Sequence, residues 1–88
     1  MSEHSDFNKG IDEIVDRTKD LVGQVATFYT TGGQRVEGLV VVVNDNVARL
    51  SNTIVTGNGV VGEDFFIAYF LGLHYVVGLA PGSPGVAP

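Results

Sequence analysis

Two runs of the sequence, residues 39–43 and 65–71, are apolar or aromatic at every position. Both are rich in β-branched and aromatic residues, which favour strands. An antiparallel strand with one face in water alternates apolar with polar residues, because successive side chains point to opposite faces. These two strands therefore need cover on both faces. The chain's own core covers one face, and we expect a second copy of the chain to cover the other.

The placement of charge leads to the same expectation. The first 20 residues hold nine charged side chains, and the remaining 68 hold six. Ordinary globular domains are about 25% charged. A surface of Thr, Asn, Ser and Gly is one explanation, and a surface covered by another subunit is the other.

The balance of charge also bears on the partner. The chain has 5 basic and 10 acidic residues. Because a protein that binds a phosphate backbone needs a basic face, nucleic acid is not expected as a partner.

Hydrophobic periodicity divides the chain of 88 residues into three parts. Apolar residues from Phe7 to Val22 recur with the period of a one-faced helix, so residues 1–22 form an acidic segment with an amphipathic helix. Residues 23–79 are expected to form a small β-barrel, and residues 80–88 a Pro/Gly-rich tail. The predicted strands are residues 24–31, 35–43, 47–55, 65–71 and 74–79.

Glycine and asparagine clusters predict where these strands turn. Turns are expected at Gly32-Gly33, at Asn44-Asp45-Asn46 and at Gly57-Asn58-Gly59, with a further interruption at Gly62-Glu63-Asp64. Gly38 inside the second strand predicts a bend or bulge. The fold class is therefore mainly β, with a helix followed by a five-stranded, strongly bent antiparallel barrel that removes exposed sheet edges.

The residues of catalytic and metal sites are sparse. The chain contains no Cys, and its only histidines are His4 and His74, so we expect neither an enzyme nor a cofactor. Glu63 and Asp64 are adjacent, and on a strand they would point to opposite faces, which does not suit a general acid/base pair. The oxygens of residues 44–46 suit Ca²⁺, but the spaced acids of a calcium loop are missing, so a plain turn is predicted.

Residues 33–39 (GQRVEGL), followed by apolar residues, Asn44-Asp45-Asn46-Val47 and Leu50, resemble the first motif of Sm-like proteins. The resemblance implies an N-terminal helix, five bent strands, and rings formed by strand-to-strand contacts. Residues 65–67 and Val76-Val77 are similar to short Sm-like or SH3-like barrel proteins of spore-forming bacteria. The family's RNA site is not reproduced, since Ala48 stands where Sm proteins carry a base-binding Asn, and the region of residues 69–73 holds no basic residue.

The sequence thus predicts a non-enzymatic, self-assembling structural protein that forms rings, tubes or fibres, including those of a spore coat or cell surface. The alternatives are an Sm-like RNA-binding ring and an adaptor barrel that binds a partner peptide. The polar N-terminus lacks a secretory signal, and no segment is long enough to span a membrane, so synthesis in the cytoplasm is expected. The residues predicted at the oligomer interface are Leu39, Val41, Val43, Phe66, Ala68, Phe70, Tyr75 and Val77. The weaker nucleic-acid candidates are Arg35, Arg49 and His74.

Overall fold

A computed structural model describes residues 3–57 and 60–82, with side chains for residues 10–57 and 63–82. One helix precedes five strands, and a single 3₁₀ turn separates the last two strands. The elements are α1 (Glu3–Asp20), β1 (Val25–Thr30), β2 (Gln34–Asn44), β3 (Val47–Gly57), β4 (Val60–Gly72), η1 (Leu73–Tyr75) and β5 (Val76–Pro81). The described part of the chain includes no helix with the length and apolar character of a membrane span.

The five strands form one bent sheet in the order β4-β3-β2-β1-β5. Every neighbouring pair is antiparallel, which confirms the predicted fold class. The order leaves β4 and β5 as the two edge strands of the sheet. Each edge strand therefore presents one row of backbone groups without a sheet partner, and such rows pair readily with another strand.

The bend of the sheet is concentrated where β2 crosses β3 at Gly38. The register of the pair shifts between Glu37 and Leu39, and Asn52 opposite this shift has a φ of 52°. A Cβ on Gly38 would lie 2.6 Å from Thr53 Oγ1 and 3.3 Å from Leu50 Cβ. Only glycine lets the strands approach this closely, so the predicted bulge is confirmed and its cause is steric.

The helix packs one apolar face onto the sheet, as its periodicity predicts. Val15 and Thr18 are buried, and Thr18 Oγ1 donates a hydrogen bond to the Ile14 carbonyl at 2.7 Å. The neighbouring Arg17 also reaches the sheet, where its Nη2 donates to the Leu79 carbonyl of β5 at 3.2 Å. These contacts hold α1 across the sheet and leave its acidic face outward.

Two local expectations are wrong. Glu63 and Asp64 do not interrupt the chain. Both lie in β4, where they pair with Thr56 and Val55 of β3. The ladder with β3 overrides the weak strand preference of Gly and acidic residues. His74 is not in the fifth strand but in η1, because the chain must reverse between β4 and β5. The predicted turn at residues 57–59 falls largely on Asn58 and Gly59, which lie outside the described residues.

Candidate nucleic-acid interface

Three connections of the fold meet at η1. The Leu73 N–H donates to the carbonyl of Asn46, in the β2–β3 turn, at 2.7 Å. The Thr31 N–H, in the β1–β2 turn, donates to the Tyr75 carbonyl at 2.8 Å. Backbone bonds therefore fix the β1–β2 turn, the β2–β3 turn and η1 relative to one another, and we call this region the loop end.

The loop end presents two neighbouring aromatic rings. The ring centroids of His74 and Tyr75 lie 4.1 Å apart with an angle of 40° between the planes. Both side chains are exposed, and Tyr75 retains 56% of its surface. The pair lies directly over Gly72, where a Cβ would stand 3.0 Å from His74 Cε1 and 3.3 Å from Tyr75 Cδ2. The missing side chain at Gly72 therefore makes room for an exposed aromatic surface.

Beside Tyr75 lies an open groove of about 460 Å³. One wall is the β1–β2 turn with Thr30 and Gln34, and the other is the end of β4 with Tyr69 and Phe70. The groove combines aromatic rings with the hydroxyl of Thr30 and the amide of Gln34. An unstacked nucleobase needs these two kinds of contact, a flat apolar surface and hydrogen-bonding groups at its edge.

The three residues predicted for nucleic acid lie in different settings. Arg35 is half-buried on β2, with its Nε 2.7 Å from Glu37 Oε2, so its charge is engaged within the subunit. Arg49 is exposed on β3 and lies in register with Phe70. A shallow groove of about 250 Å³ extends from Arg49 to Asn44 at the β2–β3 turn. Only His74 belongs to the loop end itself, and Arg49 lies beside it on the outer face.

Each residue predicted at the oligomer interface retains accessible surface in the single subunit. Phe70 is 68% exposed and Val77 is 66% exposed, one on each edge strand. Leu39 and Val43 are half-buried, and the other four, Val41, Phe66, Ala68 and Tyr75, are exposed. Their assignment to an interface stays a prediction.

Sequence reasoning missed the grouping of Gln34, Asn46 and Gly72 with the aromatic pair. It treated residues 74–79 as a strand, and in a strand His74 and Tyr75 would point to opposite faces. The one available signal is Gly72 directly after an apolar strand, since a glycine there leaves space for the side chains of the residues that follow. Among the described residues, no cluster of three or more His, Cys, Asp or Glu side chains is placed to hold a metal ion.

No family model and no curated protein matches the sequence. Solved structures do match. The Pyrococcus abyssi Sm protein, solved in complex with a uridine heptamer, superposes with a TM-score of 0.65 at 12% identity, covering 77% of this chain and 96% of that one. The chain has the Sm fold. The Pyrobaculum aerophilum SmAP1 heptamer superposes with a TM-score of 0.64 at 10% identity over 77% of this chain and 90% of that one. The Sm-like protein AF-Sm2 of Archaeoglobus fulgidus superposes with a TM-score of 0.61 at 19% identity, covering 75% of this chain and 89% of that one.

These neighbours correct the functional expectation. The interpretation as a fibre-forming or spore-coat structural protein is wrong, because the structures that share this fold include an Sm protein in complex with a uridine heptamer and two heptameric Sm proteins. The expectation that nucleic acid is not a partner is likewise at odds with them. The first of these expectations went wrong for a physical reason. Apolar strands and low charge show that a surface is covered, but they do not fix the angle between subunits that separates a ring from a filament.

Proposed function

We propose that the protein assembles through its edge strands into a closed ring with a non-enzymatic role, and that the ring binds single-stranded RNA at the loop end of each subunit. The observation that carries the proposal is the exposed His74–Tyr75 pair, held over Gly72 where three connections of an Sm fold meet. The similarity to an Sm protein crystallised with a uridine heptamer supports the choice of ligand.

The two open edges of the sheet support assembly into a ring. β4 and β5 carry unpaired backbone rows and exposed apolar side chains, Phe70 on β4 and Val77 on β5. Pairing β4 of one subunit with β5 of the next uses a different surface on each partner, and such a contact repeats until it closes into a ring or continues as a filament. The heptameric structural neighbours favour closure.

RNA binding by this ring would rest on stacking more than on charge. Base–aromatic stacking contributes about 1–3 kcal/mol per base. Of the two basic residues after Lys19 in the sequence, Arg35 is engaged with Glu37, which leaves Arg49 to meet phosphate. One weak site per subunit gains strength by repetition around a ring, because neighbouring sites hold the same strand at high effective concentration. Binding of this kind is therefore compatible with the net charge of −5, which a count of charges on one subunit does not reveal.

The test combines assembly state with binding. Native mass spectrometry of RNA-free protein is expected to show one ring size, and fluorescence anisotropy is expected to show binding to U-rich or A-rich oligonucleotides. Tyr75→Ala removes half of the aromatic pair and should weaken binding by about 1–3 kcal/mol, roughly 5- to 150-fold. Tyr29→Ala is the matched control, since Tyr29 is 41% exposed on β1 and does not line the groove. Equal affinities of the two variants, or no binding by an intact ring, would contradict the RNA proposal.

A further inference from the structure

The two edge strands are unequal in length. If subunits pair β4 with β5, as in the ring proposed above on which this inference rests, the 13 residues of β4 meet only six of β5, and seven positions of β4 keep an open backbone row. The side chains of Phe65 and Ile67 are 60% and 76% exposed. Open apolar edges of this kind join to the edges of other molecules unless the strand carries a feature that prevents it.

Rotational symmetry decides which part of β4 stays open. Rotation about a ring axis changes neither an atom's height along the axis nor its distance from it, so atoms that meet between subunits share both values. Gly72 and Val76 flank η1, a single 3₁₀ turn that rises about 2 Å per residue, so they are close in height and radius. Val76 of the neighbouring subunit therefore lies beside Gly72. Because β4 arrives at this turn and β5 leaves from it, the two strands pair antiparallel.

The open stretch is the first half of β4. The antiparallel register runs from Gly72 back to Ile67, which lies beside Pro81 of the neighbouring subunit. Residues 60–66 therefore keep an open strand edge. Phe65 lies diagonal to the neighbouring subunit's Pro81, at a separation that an aromatic side chain can span, so Phe65 borders the ring contact.

Two acidic residues stand in the middle of this open stretch. Glu63 is its central position, and Asp64 follows it. Both side chains are exposed, and their register partners on β3, Thr56 and Val55, are neutral. Among the side chains that the structure describes, neither acid forms an ion pair with a basic residue. Both negative charges are therefore presented at the open edge.

The open stretch would match a second copy of itself in every respect except this charge. Two such strands related by a two-fold axis pair antiparallel, which sets Phe65 opposite Val61, Phe66 opposite Val60 and Glu63 opposite itself. Apolar residues then face apolar residues at both ends. At the centre, two carboxylates face each other with Cβ atoms about 4.5–5.5 Å apart, and like charges directly opposite each other destabilise a strand pair.

Asp64 blocks the alternative register. Moving the two-fold axis by one residue takes Glu63 out of self-opposition and sets Asp64 opposite itself. The two acids are adjacent, so their side chains point to opposite faces of the strand. Either face of a β4–β4 pair therefore carries opposed or diagonal carboxylates.

We propose that Glu63 and Asp64 form a charge barrier that keeps the open half of β4 from pairing with the same strand of a second ring. The barrier acts at every subunit at once. A ring that met another ring face to face would have to pair one strand per subunit, so the repulsion at each strand is repeated around the ring. Neutral residues at the two positions would leave an apolar, self-complementary edge.

The test variant is the full chain with Glu63→Gln and Asp64→Asn, which keeps the side-chain shapes and removes both charges. Native mass spectrometry and sedimentation velocity should show a particle of twice the mass of the natural ring. The matched control is Asp12→Asn with Glu13→Gln, an adjacent and exposed acidic pair on α1. It makes the same change in net charge and should remain a single ring.

Charge reversal tests the register. Glu63→Lys with Asp64→Lys should stay a single ring when alone, because its lysines repel one another. An equal mixture with the natural protein should form double particles that contain both chains. Single rings in the neutral variant and in the mixture, doubling in the control, or double particles of the natural protein would each overturn the barrier and leave the ring intact. Single subunits in the natural protein would refute the ring and this inference together.

Discussion

Phe28 on β1 and Phe65 on β4 show two different reasons for an apolar strand. Phe28 is fully buried between Val36 of β2 and Leu79 of β5, its register partners. Phe65 pairs with Ile54 in the same sheet but retains 60% of its surface. The first side chain is covered by its own subunit, and the second lies exposed on an edge strand that the proposed ring pairs with the next subunit.

The difference shows what an apolar pattern can and cannot predict. Burial of apolar area stabilises by about 25 cal/mol per Å² whichever chain supplies the cover. The sequence of a strand therefore records that it is covered but not by which subunit. Topology supplies the missing information, because β1 lies inside the sheet order and β4 lies at its edge.

The largest expected effect separates these two kinds of cover. Phe28→Ala opens a cavity in the core and should lower the free energy of unfolding by about 3–5 kcal/mol. This loss is intrinsic to the subunit, so the melting temperature should fall equally at all protein concentrations. Phe65→Ala should act through assembly instead. The melting temperature of an oligomer rises with protein concentration. Phe65→Ala should make this rise smaller and should leave the melting temperature of the dilute protein almost unchanged.

Thermal unfolding followed by circular dichroism over a hundredfold range of concentration makes the distinction. Phe28→Ala and Phe65→Ala serve as each other's matched control, because both remove the same atoms. If Phe65→Ala lowers the melting temperature of dilute protein as much as Phe28→Ala does, then β4 is covered within its own subunit and the comparison between the strands collapses.

Much of the fold could be predicted from local pattern. The helix, the order of the strands, the bulge at Gly38 and the turn at Asp45 follow from periodicity and from where Gly, Asn and Asp stand. All but the bulge depend on neighbours within a few residues. The bulge depends on Thr53 and Leu50 of β3, but the glycine itself marks its position. The failure at Glu63 comes from the β3–β4 hairpin, which holds Glu63 in the ladder opposite Thr56. The failure at His74 depends on a partner far along the chain, since Asn46 fixes the backbone just before His74.

The candidate site was harder to predict for the same reason. Residues 30–34, 44–46 and 72–75 are separated in sequence and meet only because the sheet bends. Arg35 and Arg49 look equivalent as isolated basic residues in strands. The structure distinguishes them, because Arg35 forms an ion pair with Glu37. The two residues are two positions apart in β2, so their side chains lie on the same face of the strand.

A smaller effect is expected at the glycine beneath the aromatic pair. Gly72 has φ −74° and ψ 117°, which any residue adopts, so Gly72→Ala should cost the fold little. Its new Cβ must displace His74 or Tyr75, and RNA affinity should fall about tenfold, or about 1.4 kcal/mol. Gly78→Ala on β5 is the control, because its Cβ would lie 3.8 Å from Tyr29 Cδ2, an ordinary contact. Unchanged oligonucleotide affinity in Gly72→Ala would show that the ring pair is not part of the binding surface.

The smallest effect sharpens the comparison between the two arginines. Arg49→Gln should weaken oligonucleotide binding about two- to threefold, and it should reduce the slope of log affinity against log salt by about 0.7 for each phosphate that Arg49 contacts. Arg35→Gln should leave that slope unchanged and instead lower folding stability by about 1 kcal/mol, since it removes a partner from Glu37 at a partly exposed site. Anisotropy titrations at four salt concentrations, paired with urea unfolding, measure both quantities. A change of salt slope in Arg35→Gln as large as in Arg49→Gln would mean that Arg35 exchanges Glu37 for phosphate when RNA binds. Each subunit of the ring would then contact RNA phosphates through both arginines that follow the helix, Arg35 and Arg49.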